Sequence, residues 1–369
     1  MNMSSIRLLI FFVLTIAAFS SCKQTRTVVS IEENAFHING RPTYEGRYWK
    51  GHKIEGLLMN SRMVQGVFDD LNPEPHPDFV YPDTKQWDAN RNTKEFIAAM
   101  PTWKSYGLNC FTLNIQGGSP WGYGGEPYLN PGFHKDGRIM DAYAERLDAI
   151  LKEADRLEMV VILGIFYFRQ DQHLQDETAV KNATSNLIDW LFSKGYKNVL
   201  IEIANETSNR TDKYHHEILK QDRVHELINL VKQKTKNGYR YLVGVSYRGR
   251  VVPKPNVIET SDFLLVHGNG AKNPDEITKL IKETKLALGD RVMPIVNNED
   301  DNYDFDKEEN SFINSIKGYV SWGYFDFRRK DETDIREGYQ SVPVDWGVNS
   351  ERKKAFFNKL SEITGYKKQ

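Results

Sequence analysis

Beyond about residue 93 the chain alternates short, unbroken apolar runs with longer stretches of helical period, and no other feature narrows its folding options as far. The runs read "LNCFTLNI", "MVVILGIFYF", "NVLIEIA", "YLVGVSY", "DFLLVHG", "VMPIVNN" and "YVSWGYFDF". Segments such as "MDAYAERLDAILKEADRL", "DRVHELINLVKQKTKNG" and "NPDEITKLIKETKLAL" separate them with the spacing of amphipathic helices. A strand that is apolar throughout, instead of at every second residue, is covered on both faces, as in a parallel sheet under a layer of helices. A further strand is expected near "TYEGRYW", after a hairpin that turns at Asn39-Gly40, and brings the count to eight. Eight such units predict an α/β fold: a (β/α)8 TIM barrel with a short N-terminal β-hairpin, filling residues 36–369 as one domain. A doubly wound open sheet would carry a glycine-rich phosphate turn after an early strand, and no GxGxxG or GxxxxGK stands there. One unit is stunted, because "RGRVVPKPNVIETS" has two prolines and no room for a full helix. The helix "TKEFIAAMPTWKSYG" is interrupted by Pro101, and residues 45–92 lack any period and read as a long loop over one end of the barrel.

The N-terminus has a different character. Arg7 precedes "LLIFFVLTIAAF", small residues and Cys22, which is the pattern of a targeting segment and too short for an ordinary transmembrane helix. The ending "FSSC" resembles the lipobox of bacterial lipoproteins, with Phe19 where Leu is usual. The resemblance implies removal of residues 1–21, lipidation of Cys22, and export to the cell envelope, in the periplasm or on the cell surface. Residues 22–35 would then be a tether, and any membrane attachment would run through Cys22 alone. The other cysteine, Cys110, lies inside an apolar run and reads as an inert buried thiol.

Charge narrows the choice of partner. Lys and Arg number 49 against 50 Asp and Glu, a net charge of -1, whereas recognition of nucleic acid needs a basic face. Neutral or small polar ligands fit better, and an aromatic content of 12% supplies flat faces for a ligand cleft. In a barrel of this kind the reactive groups stand at the C-terminal strand ends, and here those ends are polar. Glu206 and Glu299 each follow an apolar strand directly, on the fourth and seventh units, across the barrel mouth from one another. Two carboxyl groups facing over a cleft can hydrolyse a glycosidic bond, one protonating the leaving oxygen while the other attacks or activates water. The residues alone leave open which Glu does which.

"VLIEIANE" resembles the fourth strand of the clan A glycoside hydrolases, the family 5 cellulase-like enzymes in particular, where Asn-Glu ends the strand. "MPIVNNE" is similar to their seventh strand and "YVSWGYFDF" to their eighth, with its Trp; the likeness spans residues 93 to 366. It implies a retaining glycosidase that cleaves O-glycosidic, β-configured bonds of a glycan or oligosaccharide. Glu206 would be the general acid/base, Glu299 the nucleophile, Asn205 a partner of the sugar 2-hydroxyl, and Trp322 the floor under the reacting ring. Three positions depart from the pattern: Thr207 stands where Pro often follows, "HGNG" lacks the usual Tyr, and "NIQGG" on the second strand lacks the usual Arg.

Other strand-end and loop residues complete the expected site. His267 is placed to orient a carboxylate or touch a hydroxyl, and Asn269, Tyr167 and Tyr247 to bind sugar. Trp121 and Tyr123, in "GSPWGYGGEPYLNPG", are candidate stacking platforms. Glu202 shares strand parity with Glu206 and is read as structural. Carbohydrate is the expected partner, with no nucleic acid, cofactor or metal. A metal-dependent barrel hydrolase would show His-x-His at the end of the first strand, where "YEGRYW" has none. The acidic run "NNEDDNYDFDKEEN" lacks the glycine of a calcium loop and reads as solvated, with Asp304 or Asp306 starting the next helix. A non-catalytic glycan-binding barrel is the alternative from another class, and the presence of both Glu weighs against it.

Overall fold

The computed structural model describes residues 26–74, 76–122, 128–208 and 213–366. Cys22, the leader before it and Tyr123 lie outside the described residues. The eight barrel strands are β1 (Asn60–Arg62), β2 (Cys110–Asn114), β3 (Val160–Phe166), β4 (Val199–Ala204), β5 (Leu242–Gly244), β6 (Leu264–His267), β7 (Ile295–Asp300) and β8 (Ser321–Tyr324). They pair in parallel in the order β5-β4-β3-β2-β1-β8-β7-β6. A parallel bridge between Ser246 and Leu265 then joins the two ends, so the sheet closes. Helices α1 (Ala89–Ser105), α2 (Asp141–Arg156), α3 (Glu177–Lys194), α4 (His225–Gln233), α5 (Pro255–Thr260), α6 (Pro274–Leu288), α7 (Ser311–Lys317) and α8 (Glu351–Thr364) alternate with the strands. The fifth is the stunted unit, six residues long with Pro255 in its first turn.

An apolar layer inside the barrel helps hold this together. Inside the lower barrel, Leu58, Cys110, Val160, Ile162, Leu200, Leu265 and Val296 pack against Phe36. Phe36 comes from a small antiparallel sheet of Val29–Glu32, Ala35–Ile38 and Arg41–Pro42 that closes the bottom of the barrel. Its turn is at Asn39-Gly40 as expected, with φ of 55° and 76°, the positive pair that a tight hairpin of this hand requires. The chain is anchored before the expected end of the tether at residue 35. The Thr27 N–H donates to Asp155 Oδ1 at 2.7 Å, and Arg26 pairs with the same carboxylate at 2.9 Å. Burial pushes the Cys110 thiol up, which suits an inert core residue. Among the described residues no helix is long and apolar enough to cross a membrane.

Three local expectations change. The first barrel strand is not at "TYEGRYW", where Tyr48–Trp49 pairs with His52–Lys53 in a separate hairpin. It is Asn60–Arg62, inside the stretch read as loop. It has only three residues, all polar and all buried, so no apolar run announces it. Its side chains are satisfied sideways: Asn60 Nδ2 donates to the Trp322 carbonyl and the Ser61 hydroxyl to that of Tyr324. Helix α1 runs unbroken through Pro101 and starts earlier than expected, with Asp88 Oδ1 accepting from the N–H groups of Asn90 and Arg91. Helix α7 begins under Asn310, which accepts from the Ile313 N–H, and not at Asp304 or Asp306.

Candidate active site

Past β4 the backbone is clamped between its two neighbours. The Asn205 N–H donates to the Phe166 carbonyl of β3, and the Thr207 N–H to the Ser246 carbonyl beyond β5. Between them Glu206 takes φ of +52°, a left-handed conformation that a residue with a β-carbon adopts only when its surroundings impose it. Its own N–H donates to Ser246 Oγ at 3.0 Å. The clamp turns the Glu206 carboxylate toward the barrel axis.

The seventh strand reaches the same point by another device. The registers of β6 and β7 and of β7 and β8 both shift near their upper ends, as a bulge produces, and bulges re-aim side chains beside sites. Asn297 and Asp300 bond to each other at 3.0 Å, and Glu299 faces the cavity. Glu299 Oε1 accepts from Asn269 Nδ2 at 2.8 Å, and Oε2 lies 2.8 Å from Arg62 Nε. The second nitrogen of the guanidinium, Nη2, donates to Asn205 Oδ1 at 2.9 Å, so one arginine ties both sides of the mouth. His267 Nδ1 stands between the carboxylates, 3.1 Å from Glu206 Oε1 and 3.4 Å from Glu299 Oε2.

Three buried carboxyls, with His267, Arg62 and Lys213, therefore set the local charge. Burial acts to raise Glu206, but its hydrogen bond to His267 and the charges of His267, Lys213 and Arg62 bring it below its ordinary value. Burial, aided by the negative charges of Glu206 and Glu202, raises Glu299 against the pull of Arg62 and His267. Burial opposes charge on His267, yet Glu299 and Glu206 together raise it. Glu202, wholly buried below them on β4, is raised by burial against the pull of Arg62 and His267. Glu206, His267 and Glu299 could each offer a metal one ligand atom, all within 4.8 Å of one another. The guanidinium already seated on Glu299 disfavours a second, divalent charge there.

The carboxylates open into a cavity of about 170 Å³, whose wall includes Asn205, Glu206, Asn269, Glu299 and Tyr167. The Tyr167 hydroxyl, 3.0 Å from Ser119 Oγ, is pushed up to about 12 by burial. Three expected residues are elsewhere. Trp322 is fully buried on the outer side of β8, stacked on Phe312 of α7 with centroids 4.6 Å apart, and Phe325 lines the cavity in its place. Tyr247 is buried in the core under the helices, its hydroxyl beside the Lys254 backbone, while its neighbour Ser246 serves the site. Trp121 packs on Phe79 and His76, at 4.4 and 4.7 Å, and pins its loop without lining the cavity. Arg62, Lys213, Ser119 and Gln340 were not singled out as site residues in the sequence. For Arg62 the available signal was a lone polar triplet following "GLLM".

No family model and no curated protein matches the chain. Solved structures do. The endo-1,4-beta-mannanase of Rhizomucor miehei superposes with a TM-score of 0.59 at 12% identity, over 92% of this chain and 100% of that one. A glycoside hydrolase family 5 protein of Bacteroides vulgatus gives 0.52 at 14% identity, over 88% of this chain and 68% of its own. A family 5 enzyme of Prevotella bryantii gives 0.51 at 10%, over 82% and 95%. At such identities the likeness is one of fold: the chain is built on the (β/α)8 barrel that these glycoside hydrolases share.

Proposed function

We propose that the chain is a retaining glycoside hydrolase that cleaves O-glycosidic bonds, β-configured ones, in a glycan or oligosaccharide. The observation that carries this reading is the meeting of Glu206 and Glu299 at the barrel mouth, with oxygens of the two within 4.8 Å of each other and of a His267 nitrogen. The kinship of fold with a mannanase and other family 5 structures supports the reaction class. In this reading Glu299 attacks the anomeric carbon. Arg62 and Asn269 hold one oxygen each, which aims the carboxylate and stabilises its charge. Glu206 protonates the departing oxygen and later takes a proton from the water that releases the sugar. Asn205, with its oxygen bound by Arg62, is oriented to offer its amide N–H to a sugar hydroxyl. Without substrate, Glu206 lies low and Glu299 high, the reverse of what the first step needs, so binding must move proton affinity toward Glu206.

Replacement of each carboxylate tests the assignment. Glu299→Ala should abolish release of the aglycone from aryl β-glycosides. Glu206→Ala should lose about 10²- to 10⁴-fold on poor leaving groups and much less on activated ones. Full activity in either folded variant would remove that residue from the mechanism. We also propose that the protein is exported and anchored through a lipidated Cys22, on the strength of "FSSC" after the apolar run.

A further inference from the structure

Glu206, past β4, and Glu299, on β7, divide the ring of strands into a short arc, β5 and β6, and a long one, β8-β1-β2-β3. The cavity between them belongs to the long arc: Ser119 and Gly122 past β2, Tyr167 past β3, and Phe325 and Gln340 past β8 line it, while Asn269 faces it from the short arc. A sugar ring that presents its anomeric carbon to Glu299 therefore lies on the long-arc side. That side is shut by hydrogen bonds between loops. Gln340 Nε2 donates to the Ser119 carbonyl at 3.2 Å, and the Val342 N–H to that of Pro120 at 2.8 Å. Gln65, past β1, donates from its Nε2 to the carbonyls of Gly118 and Gln340, at 2.9 and 3.0 Å. Gly122 lies so close to Phe327 that a β-carbon on it would stand 2.5 Å from the ring. Gln65 and Gln340 are buried, and Arg352 fixes the base of the β8 loop through Asp326 at 3.0 Å and Glu332 at 2.6 Å. The wall is thus a packed, hydrogen-bonded part of the fold. The cavity inside it, about 170 Å³, is smaller than the roughly 300–1,000 Å³ of sites that bury a drug-sized ligand, and takes one sugar ring, not a run of them.

We propose that the chain is exo-acting: it admits the single non-reducing terminal sugar of a β-linked glycan and releases it as a monosaccharide. The proposal rests on the glycosidase reading and deepens it. An endo-acting enzyme needs a groove that lets sugars continue on both sides of the bond being cut. Here the terminal ring fills the cavity, and the laced wall stands where the next sugar on the non-reducing side would go. The rest of the glycan stays outside, beyond the leaving oxygen and Glu206. The bond that breaks joins the anomeric carbon to that oxygen. The oxygen keeps the electron pair and takes the proton of Glu206; water then gives its hydroxyl to the anomeric carbon and its other proton to Glu206. The barrel shared with an endo-acting mannanase does not oppose this, because the loops, not the strands, set how many sugars fit.

Paired nitrophenyl β-glycosides test this on the full-length protein: glucoside with cellobioside, mannoside with mannobioside, xyloside with xylobioside, and galactoside with galactobioside. In at least one pair the glycoside of a single sugar should release nitrophenol without a lag. Its disaccharide partner should show no initial release: free monosaccharide should appear before nitrophenol, or the disaccharide should not be cut at all. Immediate nitrophenol from a disaccharide partner, with the intact disaccharide as co-product on chromatography, overturns the proposal. So does cleavage of disaccharide partners with none of the single-sugar glycosides. Either result would leave the glycosidase reading standing. No hydrolysis in any pair removes that reading and the proposal with it.

Discussion

Nε of Arg62 lies 2.8 Å from Oε2 of Glu299, so the first and seventh barrel strands meet in a buried ion pair at the mouth. Arg62→Met should therefore do two things. Breaking a buried pair leaves Glu299 without its strongest counter-charge and costs about 3–5 kcal/mol, readable by urea unfolding. It also raises Glu299 further, and attack requires the ionised form. The acid limb of the kcat/KM profile should thus move to higher pH. Arg62→Lys keeps the charge but loses the two-pronged hold on Glu299 and Asn205, so it should fall between. An unmoved acid limb in a folded Arg62→Met protein would show that Arg62 does not tune the nucleophile.

Glu206 and Glu299 were legible because an apolar run that ends on a carboxylate is costly unless the carboxylate has work to do. The barrel was legible because eight units repeat the same pattern. What stayed hidden has a common cause. A strand buried on both faces carries no alternation, so nothing in "YVSWGYFDF" says that Trp322 faces the helices and Phe325 the cavity. Nor does "VGVSY" say that Ser246 faces inward and Tyr247 outward. Arg62 was hidden for the opposite reason, on a strand too short and too polar to look like one. Its partnership with Glu299 is a product of closing the barrel, which no local pattern records.

Asp300 gives a prediction about stability. Burial on the outer side of β7 pushes it up to about 7, against the N–H of Asn302 and the Asn297 amide, which bond to it. Between the unfolded carboxyl value of about 4 and this raised value the folded state holds a proton that the unfolded chain has lost. Stability must then fall as pH rises through that window and level off above it. The span corresponds to about 4 kcal/mol at most. Asp300→Asn removes the titration, so wild type should weaken relative to this variant between about pH 4 and about pH 7 in urea melts. Parallel curves would mean that Asp300 is ionised throughout.

The proposed anchor is open to a fractionation test. The full-length chain, expressed in a bacterium that processes lipoproteins, should appear in the membrane fraction and label with radioactive palmitate. Cys22→Ala should shift it to the soluble fraction without loss of fold, since Arg26 and Thr27 themselves tie the start of the described chain to Asp155. Equal membrane retention by the variant would reject lipid attachment at Cys22.

The stereochemistry of hydrolysis tests the site most directly, because two carboxyls can serve only one of two geometries. Inversion needs a water between base and sugar, and a separation of about 6.5–9.5 Å, whereas retention uses about 5–5.5 Å. Here oxygens of Glu206 and Glu299 come within 4.8 Å, and His267 sits between them. That closeness favours the retaining geometry, and on the proposed reading Glu299 itself attacks and forms a glycosyl ester. Proton NMR during the first minutes of aryl β-glycoside hydrolysis should then show the β-anomer of the free sugar, before mutarotation mixes the two. A fluorinated sugar that slows release of the ester should add its mass to a peptide containing Glu299. First appearance of the α-anomer would take the nucleophile role from Glu299 and leave it as a base. Labelling of Glu206 instead would exchange the two roles while keeping the retaining chemistry.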